Sequence, residues 1–326
     1  MHAKEIGSSN MDRLKTIFMG TPDFAVPCLH VLQEKTDILA VITQPDRPKG
    51  RGHNLQASPV KQAALEYGLP VLQPEKIKTE EFTAKLEEMQ PDLIVVVAFG
   101  QILSQRILDI PRLGCVNVHA SLLPSYRGAA PIHWSIINGE KETGVTTMLM
   151  DAGLDTGDML LKDKVAITPE MTTEELHDKL MDMGGRLLSD TIDGLAAGTI
   201  VPEKQDDSLS NYAGMLNKET GHIDWTKTAT EIHNLIRGLN SWPVAWAMLD
   251  GKNYKFWRTR VIDGSGSQNE SGRRPGTVVE LGKNSFAVAT GKGVLEVLEL
   301  QPPSKKRMSA GDFVRGHGVE IGAVFS

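Results

Sequence analysis

The chain is poor in cysteine, and it lacks the patterns that would place it in several broad classes. Its two cysteines, Cys28 and Cys115, form no CxxC pair. That excludes a disulfide scaffold and a cysteine-based zinc site, and suits a reducing compartment. No long apolar run occurs. The longest unbroken stretch covers residues 93–99, whereas a membrane-spanning helix needs about 20 apolar residues. Gly20-Thr21-Pro22-Asp23 does not match GxGxxG, so nicotinamide binding is not indicated. His222, His233 and His317 are too scattered for a metal site. There is no internal repeat and no coiled-coil heptad. Residues 1–10 show no apolar periodicity and end at a second methionine, Met11. They lack the apolar core of a secretory signal and are expected to be an added or start-site extension outside the fold.

What is present fits a globular protein. The chain has 326 residues, 40% hydrophobic and 23% charged, a length that suggests two domains. Its net charge of −6 hides an asymmetry. Residues 211–326 carry 15 Lys+Arg and 11 Asp+Glu, net +4; residues 1–210 carry 20 and 30, net −10. A basic back half behind an acidic front half suggests a polyanionic partner, although chance surface composition explains +4 about as well.

The front half alternates strand and helix signals. Strands are predicted at 16–19, 38–43, 71–72, 92–99, 114–119, 144–150 and 159–165. Helices are predicted at 24–32, from Ser58-Pro59, at 79–89, at 131–138 and at 172–197, the last interrupted at Gly184-Gly185. The all-apolar run at 92–99 reads as a strand buried on both faces of a parallel sheet. This alternation predicts an α/β fold with a doubly wound, Rossmann-like N-terminal domain. After Asp206 the texture changes. A helix at 228–239 precedes short strands at 244–249, 254–260, 276–281, 286–290 and 294–300, separated by turn signals. They predict a small C-terminal antiparallel β-barrel, with a last helix capped by Ser309. The expected division is 1–10 extension, 11–206 α/β catalytic domain, 207–220 linker and 221–326 basic barrel.

Candidate chemistry concentrates at the end of the strand Cys115-Val116-Asn117-Val118-His119. Alternation puts Cys115, Asn117 and His119 on one face. Asparagine is a poor strand residue, and the carboxyl end of a parallel strand is where such sheets place ligands. A buried polar pair satisfied by backbone is the equally weighted alternative. Cys115 reads as packing. Residues 121–131 form a loop with Arg127 and two prolines that runs into a helix. Residues 151–158 hold Asp151, Asp155 and Asp158 with two glycines. The segment matches a calcium loop only weakly, because Lys162 stands at the twelfth position. One of its carboxylates is better used facing His119, fixing the ring and favouring its charged form. The loop Thr43–His53 carries Arg47, Lys49 and Arg51 with two prolines and two glycines. It reads either as a solvated loop or as a finger against a phosphate-rich partner.

Taken together, several segments carry a resemblance. They are Met19–Ala25, Thr43–Pro48, Asn117–Pro124 with Tyr126-Arg127-Gly128, Gly153–Asp158, and Leu300-Gln301-Pro302 with Lys305–Ser309. With them the chain resembles the methionyl-tRNA formyltransferase family from Met11 to its end. The Asn117–Pro124 segment alone marks only the wider superfamily of formyl-tetrahydrofolate-using enzymes. The resemblance implies transfer of the formyl group of 10-formyltetrahydrofolate to the amino group of methionyl initiator tRNA, for translation initiation. It implies a catalytic set of Asn117, His119 and Asp155, and a folate-contacting segment of Ser121, Leu122, Leu123 and Pro124. It implies tRNA contacts from Arg47, Lys49 and Arg51 and from Lys305, Lys306 and Arg307, and an OB-like form for the barrel. A cytoplasmic, monomeric enzyme without metal or membrane attachment is expected.

The chemistry agrees with those residue types. An amine attacking a formamide passes through a tetrahedral oxyanion, which needs a donor such as the Asn117 amide. The amine must lose a proton, which His119 can take; a charged His119 could instead stabilise the oxyanion. Formyl transfer to glycinamide ribonucleotide would leave the second domain without a use. Transfer to an amino sugar nucleotide would leave the cationic loop and basic barrel without one. Hydrolysis of the formyl folate, or a silent RNA-binding module, are the further alternatives.

Overall fold

The computed structural model describes residues 13–49, 54–262 and 273–326. The expected extension at 1–10 lies outside them. In chain order the strands and helices are β1 Lys15–Gly20, α1 Val26–Lys35, β2 Asp37–Ile42, β3 Arg47–Lys49, β4 Asn54–Gln56, α2 Pro59–Glu66, β5 Val71–Leu72, α3 Glu80–Met89, β6 Leu93–Val97, α4 Gln105–Leu108 and β7 Cys115–His119. There follow β8 Arg127–Gly128, α5 Pro131–Ile137, β9 Glu142–Leu149, β10 Met159–Ala166, α6 Thr173–Ala197, β11 Tyr212–Ala213 and α7 Ala229–Gly238. The chain ends with β12 Ala245–Leu249, β13 Lys252–Ile262, β14 Val278–Leu281, β15 Phe286–Ala289, β16 Val294–Gln301, β17 Met308–Ser309 and α8 Ala310–Arg315. No helix among the described residues is long and apolar enough to cross a membrane.

Contacts divide the chain into two compact units. The first comprises Met1–His119, Val145–Asp163 and Met181–Asp206; the second comprises Ala120–Gly144, Lys164–Leu180 and Asp207–Ser326.

The first unit is organised by a seven-stranded sheet in the order β10-β9-β7-β6-β1-β2-β5. β5, β2, β1, β6 and β7 run parallel, and β9 joins antiparallel to β7. The chain winds from β1 outward to β5, then returns to the other side of β1 with β6, which makes the sheet doubly wound. β6 is fully buried along its length, as its unbroken apolar sequence requires. Helices start where side chains accept the orphan amides. Ser58 accepts from Lys61 N ahead of α2, with Pro59 at the first helical position. Thr79 accepts from Phe82 N ahead of α3.

One expectation is corrected. Gly184-Gly185 does not interrupt α6, which runs unbroken from Thr173 to Ala197. A Cβ at Gly184 would lie 3.2 Å from Val118 Cγ1, and one at Gly185 would lie 3.1 Å from Pro27 Cβ. The glycines are thinnings of the helix surface where it meets β7 and α1. The cost of glycine inside a helix, about 1 kcal/mol each, is spread over a long helix that tertiary packing supports.

The second unit carries a six-stranded antiparallel sheet, β12-β13-β16-β15-β14 with β17 on β16. Its two ends are joined by the last residues of the chain. Met248 N donates to Ser326 O and Ser326 N returns to Met248 O, while Val278 N donates to Ala323 O and Phe325 N to Gly276 O. The tail therefore bridges β12 and β14 and closes the sheet into a barrel, which removes its open edges. Phe325 is the plug. Its ring lies 5.3 Å from that of Phe256 and 6.1 Å from that of Phe286, and it is 1% exposed. α7 starts with a capping box between Thr228 and Glu231 and buries its apolar face on this barrel. The buried His233 is satisfied at both nitrogens, by Thr259 Oγ1 and Pro169 O. Arg237 donates to Asn234 Oδ1 and to the carbonyls of Thr168 and Met171.

Phe325→Ala removes a buried aromatic ring and unpins the strand bridge together. It is expected to lower stability by about 3–5 kcal/mol, read from the denaturant midpoint of the barrel. A loss below about 1 kcal/mol would mean that the tail is an appendage to the sheet.

Candidate active site

The strand β7 carries two candidate site residues, Asn117 and His119, in its carboxyl half. Cys115 packs into the apolar cluster with Ile107 and Leu108, while Val118 faces α6. The alternation expected for this strand holds, and Asn117 and His119 share the Cys115 face. Burial pushes the Cys115 thiol up to about 12. It is a packing residue and no nucleophile at neutral pH. Asn117 is half-buried, and its side-chain amide makes no hydrogen bond to any described residue. A half-buried amide without an intramolecular partner is a donor held ready for a ligand.

His119 is buried, and its Nδ1 stands 3.8 Å from Asp155 Oδ2. Both side chains are mostly withdrawn from water, 7% and 13% exposed, so the attraction between an imidazolium and this carboxylate is little screened. Of the three acids in the 151–158 segment, Asp155 is the one brought to the histidine. Asp151 turns back into the loop. Its Oδ1 accepts from Gly153 N at 3.0 Å and from Thr156 Oγ1 at 2.6 Å. Glycine is required here by close approach. A Cβ at Gly157 would lie 1.7 Å from Leu149 O, and one at Gly153 would lie 2.0 Å from Thr156 Oγ1. Asp155 has φ 55°, the left-handed region that aspartate tolerates better than most side chains. A further residue, absent from the sequence reading, holds this loop. Gln205 Nε2 donates to Asp155 O and to Gly157 O, each at 2.8 Å. It lies 50 residues on in the chain, and no local pattern marks it.

The carboxyl ends of β1, β2 and β6 are tied together nearby in the same unit. Thr21 Oγ1 and Gln44 Nε2 both donate to Phe99 O at 3.1 Å. A cleft of about 400 Å³ opens beside them, lined by Thr21, Gln44, Arg47, Pro48, Ser58 and Gln62. Its position outside strand carboxyl ends is the usual one for ligands of such sheets. From this cleft rises a two-stranded ribbon, β3 on β4. Asp46 anchors its base, accepting from Lys61 Nζ at 2.6 Å and from Gln73 Nε2 at 2.8 Å. Hydrogen bonds from Lys61, then from Gln73, hold the Asp46 carboxyl below the usual carboxylate range. Arg47, the next residue, is exposed and has no ion pair among the described residues. Arg51 and the side chain of Lys49 lie outside the described residues.

The remaining expected residues belong to the second unit. Ser121 and Leu123 are buried, whereas Leu122 and Pro124 are half-buried. Ser121 Oγ donates to Ser125 O at 2.6 Å, so its hydroxyl braces the loop. Arg127 is paired with Asp207 at 2.7 Å, and its strand β8 lies parallel to β11. Lys305 and Lys306 are exposed without an ion pair among the described residues. Arg307 is committed differently. It pairs with Glu299 and its guanidinium lies 4.8 Å from the centre of the Trp257 ring.

Known proteins match both halves of the chain. The family model described as formyl transferase matches residues 14–192, and that described as formyl transferase, C-terminal domain, matches residues 215–318. Methionyl-tRNA formyltransferase of Clostridium perfringens (strain 13 / Type A) is 54% identical over 312 residues, covering 95% of this chain and 99% of that protein. The protein of the same name from Trichlorobacter lovleyi is 53% identical, covering 95% and 96%. Among solved structures, the sugar 3N-formyl transferase WlaRD gives a TM-score of 0.66 at 22% identity, covering 90% of this chain and 99% of that one. HypX from Aquifex aeolicus in complex with tetrahydrofolic acid gives 0.59 at 14% identity, covering 93% and 47%. At these identities the two structures speak for the fold.

Gly157→Ala must displace the Asp155 loop, because its methyl group has no room against Leu149 O. A small misplacement at a reacting centre can cost about 10²-fold in rate, and kcat is expected to fall by that order with far-UV circular dichroism unchanged. Parental kcat would show that the loop's exact course is immaterial.

Proposed function

The chain belongs to the formyl transferase family, and we infer that it moves the formyl group of 10-formyltetrahydrofolate onto the amino group of methionyl initiator tRNA. It is an enzyme of translation initiation. The observation that carries the site assignment is the withdrawn His119–Asp155 pair at 3.8 Å, with the uncommitted Asn117 amide two residues back on the same strand face.

The chemistry follows from those three side chains. The amino nitrogen attacks the formyl carbon, forming a C–N bond while the carbonyl oxygen takes up negative charge. The Asn117 amide donates to that oxygen. His119 takes the proton lost by the amine, and Asp155 orients the ring and stabilises the imidazolium. Collapse of the intermediate breaks the bond to the folate nitrogen, which receives the proton from His119. Formyl-methionyl-tRNA and tetrahydrofolate leave. Ser121–Pro124 follows His119 directly in the chain and meets the folate through Leu122 and Pro124, while Ser121 and Leu123 brace it from within.

The tRNA is held in two ways. Residues 221–326 supply attraction through phosphate contacts, with Lys305 and Lys306 as uncommitted charges and Arg307 already shared with Glu299. Arg47, raised on its anchored ribbon, positions the acceptor end, and Lys49 and Arg51 add charge close to it in the sequence. Residues 11–206 act as the catalytic part and 207–220 as the link. The protein works as a cytoplasmic monomer.

The direct test is formyl transfer from 10-formyltetrahydrofolate to charged initiator tRNA. Formate release without tRNA would point to a hydrolase, and RNA binding without turnover to a silent module. Asn117→Ala is expected to lower kcat by about 10²–10³ and His119→Ala by up to about 10⁴. Near-parental kcat in either variant at saturating substrates would remove it from the catalytic set.

Arg47→Ala is expected to lower kcat/KM for tRNA about 10²-fold while the KM for the folate stays put. Charge reversal of Lys305 and Lys306 should instead raise the tRNA KM and flatten its salt dependence. With about 3–4 phosphate contacts, doubling the salt weakens parental binding about sevenfold or more. A salt slope untouched by the charge reversal would take these lysines out of the tRNA interface.

A further inference from the structure

We propose that Gln205 is a positioning residue for the reaction, acting through Asp155; this rests on the catalytic reading of Asp155 given above. The geometry is specific. One side-chain NH₂ group has two hydrogens, and the two acceptors are the carbonyls on either side of Thr156, Asp155 O and Gly157 O, each 2.8 Å from Nε2. Both donors of the group are thereby used. The loop is braced on its other side by Asp151, whose Oδ1 takes Gly153 N and Thr156 Oγ1. The backbone between these braces holds Asp155 at φ 55°. A non-glycine residue is kept in that sparsely populated region only where its surroundings over-determine it, and Gln205 is the part of those surroundings that grips Asp155 itself.

Gln205 is fixed in turn. Two residues before it, Glu203 pairs with the first residue of β10: Met159 N donates to Glu203 O at 2.8 Å and Glu203 N to Met159 O at 2.9 Å. The brace is therefore anchored on the sheet that also carries His119. The hydrogen bonds of Glu203 to the sheet and of Gln205 to the loop, two residues apart in the chain, thus tie the Asp155 loop to the sheet and set the carboxylate against the imidazole. Losing the amide releases Asp155 to the conformations that an unbraced aspartate prefers, away from the histidine.

The test uses the full-length enzyme with Gln205→Ala, Gln205→Glu, Asp155→Asn and the double variant Gln205→Ala/Asp155→Asn. Gln205→Glu keeps the shape and replaces the NH₂ by an acceptor, so it cannot grip either carbonyl. Both single Gln205 variants are expected to lose about 10- to 100-fold in kcat, with KM for 10-formyltetrahydrofolate and for methionyl-tRNA within about twofold of the parent. The double variant should be no slower than Asp155→Asn alone, since two residues acting as one unit are not additive. Parental kcat in Gln205→Glu overturns the proposal. So do losses that simply multiply in the double variant, and in that case an impaired Asp155→Asn leaves the proposed reaction standing. Parental turnover in Asp155→Asn removes the reading of Asp155 and the proposal with it.

Discussion

The withdrawn contact between His119 and Asp155 is the interaction on which the proposed mechanism rests, and several features of the first unit hold it in place. An imidazole at the end of a parallel strand is easily placed; a carboxylate that must reach it from the excursion after β9 is not. The excursion between β9 and β10 therefore folds upon itself. Gly153 and Gly157 allow it to pass within backbone distance of its own neighbours, and Asp151 spends its carboxylate on the loop amide and hydroxyl. The result is one acid turned into the loop and one facing the histidine, within five residues. Weak water screening at the pair gives the arrangement its electrostatic value. The same burial makes the uncommitted Asn117 amide informative, because a partly enclosed donor without a protein partner is uncommon.

The second unit solves a different problem. Five strands and a short sixth make a sheet with two free edges, and such edges invite pairing with other chains. The terminal residues close it by bonding to both edges, with Phe325 among Phe256 and Phe286 as the apolar anchor. Around this closed barrel, α7 spends two polar side chains on holding residues 168–171. Arg237 is buried and its charge is desolvated, which lowers its pKa from the usual arginine value. It is tolerated because its donors reach a side-chain amide and two carbonyls. The basic character of this half of the chain is thus partly internal, while Lys305 and Lys306 are exposed without an ion pair among the described residues.

Much of this was legible in the sequence, and for identifiable reasons. Strand β6 announced itself because a strand buried on both faces must be apolar at every position. Helices α2 and α8 announced their starts because Ser58 and Ser309 are side chains that can accept an orphan amide. Asn117 and His119 stood out because polar residues are costly in a buried strand unless used. These are local rules, in which the residue and its consequence lie within a few positions of one another.

Where the cause lies far along the chain, only the tertiary structure decided. The glycine pair 184–185 reads locally as a break, yet α6 continues, because what the glycines accommodate is Val118 and Pro27 on other elements. Arg307 shows nothing of its surroundings in the sequence, whereas in the fold it pairs with Glu299 and lies beside Trp257. Which of Asp151, Asp155 and Asp158 faces the histidine was not a matter of spacing, and the residue that grips that loop, Gln205, carries no local signature at all. Sequence by itself determined the α/β and barrel halves, the starts of α2 and α8 and the strand that holds Asn117 and His119, since periodicity and capping act over a few residues. The contact that brings Asp155 to His119, the closure of the barrel by its own tail and the ion pair of Arg307 belonged to the folded chain, since they depend on which distant atoms come within reach.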